Sequence, residues 1–218
     1  MAGYRYEIQP IPQFMIDRFR NWRRSGFNEQ RERFEQLAAD GQTPDTMVIG
    51  CCDSRVQLTA LLSAQPGELF VHRNIANLVP PCNFDNLSHH GTSATIEYAV
   101  KALKVRHIVV LGHSSCGGIR YCDEMCSTLH TEEGFLKNWM DILRPGFEKV
   151  KSIRNQADRI RALEFIGITT SLENLIEYPF VNEAIVTGQL SIHGLWYSIS
   201  DGKLLTYSSE RRQFIEVE

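Results

Sequence analysis

The chain has 218 residues, 43% of them hydrophobic and 22% charged, and a formal net charge of −3. That composition suits a globular fold with one well-buried core, and the intermixing of acidic and basic residues advertises no broad basic face for nucleic acid or an anionic membrane. No run approaches the roughly 18 apolar residues of a membrane span, and the start Met1-Ala2-Gly3-Tyr4-Arg5 lacks an apolar signal core, so a soluble, cytoplasmic protein that acts on small molecules is expected.

In chain order, residues 11 to 40 place Phe14, Ile16, Phe19, Trp22, Phe27, Phe34 and Leu37 among charges at helical spacing, which predicts two amphipathic helices forming an amino-terminal arm. Residues 47 to 52 read as a short buried strand, 69 to 72 as a second, and 106 to 112 (RHIVVLG) as the clearest, being rich in β-branched residues. Between the last two, Ile96, Ala99, Val100 and Leu103 make one stripe of a helix near 92 to 103. Strand, helix and strand thus alternate as in a parallel α/β sheet. Residues 118 to 187 are mostly helical in pattern, with breaks expected at Pro145-Gly146 and Pro179. Two strand-like runs, 189 to 199 and 203 to 208, flank Asp201-Gly202 and predict a carboxy-terminal antiparallel hairpin. The expected fold is a single α/β domain over residues 1 to 218, with a mostly parallel central sheet flanked by helices.

Six cysteines in a chain of this length do not form the pattern of a small disulfide-stapled protein, which leaves metal or thiol chemistry. The first strong strand ends in Gly50-Cys51-Cys52-Asp53-Ser54-Arg55 and the third in Gly112-His113-Ser114-Ser115-Cys116-Gly117-Gly118. Open α/β sheets bind ligands beyond the carboxyl ends of their strands, so neighbouring parallel strands would bring these segments together. Two thiolates and an imidazole suit zinc, whose catalytic sites use three protein ligands and keep a fourth position for water. A helix beginning after Cys116 would favour its thiolate. A His-x-x-Cys alone is common, but the two motifs in this order, each at a strand end, are far more specific than either half.

These motifs, with Gln65-Pro66-Gly67-Glu68-Leu69-Phe70-Val71-His72-Arg73-Asn74 between them, resemble the β-class carbonic anhydrases over roughly residues 40 to 120. Gly91-Thr92, Ile96-Glu97-Tyr98-Ala99-Val100 and His193-Gly194 add to the likeness. The resemblance implies one zinc ion per subunit on Cys51, His113 and Cys116, and reversible hydration of carbon dioxide to bicarbonate and a proton by hydroxide generated at the metal. It assigns Asp53 to orienting that nucleophile and Arg55 to holding the carboxylate off the metal. It places Gln42, Phe70, Ile75 and Tyr98 in the substrate pocket, with a backbone N–H from Gly117. Gln42 and Val48 point to the plant-like subclass with an open site. It also implies a homodimer built through the amino-terminal helices, with tetramers or larger assemblies made from it.

Two other readings share some of these residues. One is a carbon disulfide or carbonyl sulfide hydrolase on the same scaffold. The other is a structural-zinc or thiol protein, with Cys51, Cys116, Cys122 and Cys126 closing a four-sulfur site. Strand alternation places Cys52 in the core, and His89 or His90 is a weak candidate for moving protons.

Overall fold

The computed structural model describes residues 9–83, 90–128 and 133–218. The chain divides into two compact units, Met1–Gln42 and Thr43–Glu218. In the first, α1 (Gln13–Trp22) and α2 (Arg31–Asp40) are the two expected helices, joined through a widened π-helical turn at Arg23–Phe27. Trp22, Phe27 and Phe34 stack into one aromatic cluster, with Phe27 and Phe34 centroids 5.4 Å apart. Phe14, Met15, Phe19 and Trp22 keep about half their surface exposed within this unit.

The second unit is built on one sheet. Among the described residues it holds β1 (Thr46–Cys51), β2 (Leu69–Asn74), β3 (His107–His113), β4 (Ser191–Tyr197), β5 (Leu204–Ser208) and β6 (Gln213–Glu216), in the order β2-β1-β3-β4-β5-β6. The first four strands run parallel and the last two return antiparallel. The mostly parallel α/β sheet and its closing hairpin are therefore as expected, while β6 had been missed. Its four residues, QFIE, are too few to show alternation.

The helices of this unit are α3 (Leu58–Leu61), α4 (Gly91–Glu97), α5 (Gly117–Ser127), α6 (Phe135–Met140), α7 (Arg144–Val150), α8 (Gln156–Glu177) and α9 (Pro179–Val186). The expected helix at 92 to 103 is α4 continued by a π-helical turn, Tyr98–Leu103. The helical stretch is interrupted near both prolines, as expected: α8 ends at Glu177 and Pro179 opens α9, while Pro145 lies in the first turn of α7, and at both places the missing N–H costs nothing. Asn155 caps α8 by accepting the Asp158 N–H at 3.1 Å. No helix among the described residues is long and apolar enough to cross a membrane.

One sheet face carries Met47, Ile49, Ile108, Val110 and Trp196 into a core completed by Ile168, Leu172 and Leu175 of α8. The close approach of α8 explains two glycines. A Cβ on Gly112 or Gly194 would lie 2.8 or 2.9 Å from Ile168 carbons. The opposite face, with Val48, Val109 and Leu111, packs mainly against Leu58, Leu61 and Leu62 around α3. Because β1 and β3 are direct neighbours in parallel, Cys51 and His113 emerge at the same end of the sheet.

Candidate metal centre

Cys51 is the last residue of β1 and His113 the last of β3, while Cys116 immediately precedes α5. The three side chains are buried, and one donor atom from each lies within 4.8 Å of the others. The turn between them is tight. Ser115 adopts a left-handed φ of 56°, and Ser114 is fixed by its N–H to the Tyr197 carbonyl at 2.9 Å and by its Oγ, which accepts the Ile199 N–H at 2.9 Å. Strand β4 thus sets the loop that carries the second and third donors.

The donor set passes a geometric test for a metal ion. The Cys51 and Cys116 sulfurs are 3.8 Å apart, and two sulfurs each about 2.3 Å from a tetrahedral zinc stand about 3.8 Å from one another. His113 Nδ1 lies 2.9 Å from the Ser114 carbonyl, so it carries the proton and leaves Nε2 with a lone pair. Among the described residues, that Nε2 is the one buried side-chain nitrogen or oxygen with no hydrogen-bond partner. A buried polar atom without a partner is costly, and a cation facing it removes the cost.

The electrostatics agree. The hydrogen bond from Cys116 draws the Cys51 thiol well below its usual range, helped by backbone groups of Asp53 and Ala76. The same pairing with Cys51, together with burial, drives Cys116 up. Two thiols this close give up a first proton easily and a second only when a cation arrives. N–H groups of Gly118 and Ile119, at the start of α5, act against the rise at Cys116, which is the helix-start effect expected there.

Asp53 and Arg55 stand beside this set as a clamped pair. Arg55 Nε donates to Asp53 Oδ1 at 2.9 Å, Nη2 donates to Oδ2 at 2.7 Å, and Nη2 also reaches the Ser115 carbonyl at 3.0 Å. One guanidinium therefore ties the loop after β1 to the loop after β3. The Arg55 hydrogen bonds hold the Asp53 carboxyl well below the usual carboxylate range, and its Oδ2 lies 3.8 Å from His113 Nε2.

The remaining pocket candidates separate into two places. Gly117 is exposed, and Ile75 sits at the centre, where a Cβ on Gly118 would come within 2.6 Å of its Cγ2. Phe70 and Tyr98 instead form their own aromatic pair, with centroids 5.8 Å apart, and Phe70 is in register with Met47, about 13 Å along β1 from Cys51. Gln42 is an exposed residue at the end of the first unit. The four-sulfur arrangement is not formed: Cys122 faces the Met140 carbonyl and its neighbour Cys126. Cys52 is corrected from core to exposed, because β1 ends at Cys51 and the chain turns there, which cancels the alternation argument. His90 is exposed, while His89 and His130 lie outside the described residues.

Sequence reasoning overlooked a layer behind the ligands. Glu164 of α8 is only 3% exposed, accepts the Cys116 N–H through Oε1 at 3.3 Å, and accepts Trp196 Nε1–H through Oε2 at 3.1 Å. Arg161 pairs with Oε2 at 3.2 Å while lying 4.0 Å above the Trp196 ring. The signal was available, since Glu164 interrupts the apolar stripe Ile160, Leu163, Gly167, Ile168 of α8. Arg73, left without a role, donates to the Cys51 carbonyl at 2.8 Å and to the Val56 carbonyl at 2.6 Å.

A carbonic anhydrase family model matches residues 46–204. Beta carbonic anhydrase 3 of Arabidopsis thaliana is 35% identical over 188 residues, which cover 84% of this chain and 72% of that protein. The solved β-carbonic anhydrase CcaA superposes with a TM-score of 0.86 at 31% identity, over 94% of this chain and 92% of the other. One of two tetrameric β-carbonic anhydrases from Sordaria macrospora gives 0.74 at 32% identity, over 88% and 94% of the chains. With its sheet order, its Cys-His-Cys donor set and these likenesses in agreement, the chain belongs to the β-carbonic anhydrase family of lyases.

Proposed function

We propose that this protein hydrates carbon dioxide reversibly to bicarbonate and a proton, using one zinc ion per subunit held by Cys51, His113 and Cys116. The observation that carries the reading is the orphaned, buried His113 Nε2 facing two sulfurs at zinc-chelating separation, beside a clamped carboxylate. Zinc lowers the pKa of its water from about 15.7 toward about 7 in the three-histidine carbonic anhydrases, and the same chemistry here, tempered by two thiolates, would supply a hydroxide nucleophile as the pH rises above neutral.

The chain's own groups do the positioning. With Arg55 on both oxygens, Asp53 is kept ionised and already engaged by a cation of the chain itself, which supports an open resting site of the plant-like kind. A remaining lone pair of Oδ2 can accept a hydrogen bond from the nucleophile and so fix its orientation. Ile75 supplies an apolar wall suited to carbon dioxide, and the exposed Gly117 N–H a donor for a bicarbonate oxygen. Phe70 and Tyr98 are too far from their own chain's centre to line it, so their place in the pocket requires a second copy of the chain. This supports a homodimer as the working unit, with tetramers built from it.

The test is stopped-flow carbon dioxide hydration by the zinc-loaded protein against its chelated form. Rapid hydration that returns with zinc supports the reading. No hydration at full zinc occupancy with the fold intact overturns it.

A further inference from the structure

We propose that His107 and His193 form a second metal site, a solvent-facing pair of imidazoles that chelates a borderline divalent ion of the nickel, copper and zinc class.

His107 opens β3 and His193 lies in β4, in register with Val109 two residues further along β3. Side chains two apart on a strand share a face, and neighbouring parallel strands bring the two rings together diagonally. His107 Nδ1 and His193 Nε2 are 3.1 Å apart, with ring centroids at 5.2 Å. Two nitrogens at about 2.0–2.1 Å from one ion stand about 2.9 Å apart at a right angle and about 3.4 Å apart at the tetrahedral angle, so the observed separation spans a metal with little movement. At present the gap is filled by one shared N–H, which an ion would replace.

Several features favour a ligand there. His193 is exposed and His107 half-buried, so water can complete the coordination. Burial and the neighbouring ring hold His193 below its usual pKa, which favours the neutral, ligating form. Asp45 lies near His107 and adds a negative field, although its carboxylate is engaged by Arg106. Both rings rest on the paired backbones of β3 and β4, which reduces the entropy lost on chelation. The pair stands at the opposite end of β3 from His113, about 20 Å away, so it is a separate site.

The experiment titrates nickel chloride into zinc-loaded, untagged full-length protein by calorimetry, with zinc content followed by elemental analysis. We expect one nickel per chain with zinc retained. His107→Ala and His193→Gln should each weaken binding about a hundredfold, because either change removes the chelate and not just half of it. His90→Ala should leave binding unchanged, and nickel should raise the Tm of the parent but not of His193→Gln. Carbon dioxide hydration should be the same in parent and His193→Gln without nickel. No nickel uptake by the parent, uptake equal in parent and both pair variants, dependence on His90, or nickel bound at the expense of zinc would each overturn the proposal.

Discussion

The two ends of β3 each carry a histidine beside other donors, yet they are opposite environments. At the carboxyl end His113 is 1% exposed, its Nε2 has no partner, and two buried sulfurs face it. At the amino end His107 is half-buried and already shares a hydrogen bond with His193. The carboxyl end is built for a ligand because its polar atoms are unsatisfied without one, and burial makes that state costly. The amino end is satisfied as it stands, so its loss should leave both fold and hydration intact. What distinguishes a centre on which the fold's chemistry depends is the unmet demand of a buried donor, more than the identity of the side chain.

That contrast can be broken by substitution. His113→Ala should abolish metal binding and reduce hydration at least about a thousandfold, measured by stopped flow with metal analysis; retained zinc would place the donors elsewhere. Asp123→Ala strikes a buried ion pair of α5 and α8, where Arg159 Nη2 donates to Oδ2 at 2.9 Å. It should cost about 3–5 kcal/mol of stability by urea unfolding while the folded variant keeps its zinc. Arg55→Ala frees Asp53 to swing toward the metal and should lower kcat/KM about 10–100-fold with zinc still bound. Glu164→Gln is subtler. Both oxygens of Glu164 accept N–H groups and the amide has only one acceptor, so one donor is left facing an NH2, at a cost of about 1–3 kcal/mol and a weaker hold on zinc in chelator competition. Activity of the parent should climb from about pH 6 to about pH 9, because two thiolates offset the charge of the ion and leave its water less acidic; a flat profile would contradict that ligand set.

Much of this was legible in the sequence. Strands β1 and β3 carry β-branched, apolar runs, and the two motifs fall at their ends, where parallel topology makes them converge. The overlooked parts depended on contacts distant in the chain. Glu164 reaches Cys116 and Trp196 across the core, and no local pattern pairs residues 48 and 32 positions apart. Cys52 was misplaced because alternation was carried one residue past the end of β1. The interruptions at Pro145 and Pro179 were legible because proline suits the first turn of a helix and not its interior, so one helix ends and the next begins there.

The central claim is that one metal on Cys51, His113 and Cys116 makes this fold a carbonic anhydrase. Its most direct test measures zinc content and carbon dioxide hydration together, in mildly alkaline buffer, for the parent and Cys116→Ser. The account predicts about one zinc per chain and rapid hydration in the parent, with both lost together in the variant. A variant that loses its zinc but hydrates carbon dioxide at the parental rate would contradict it.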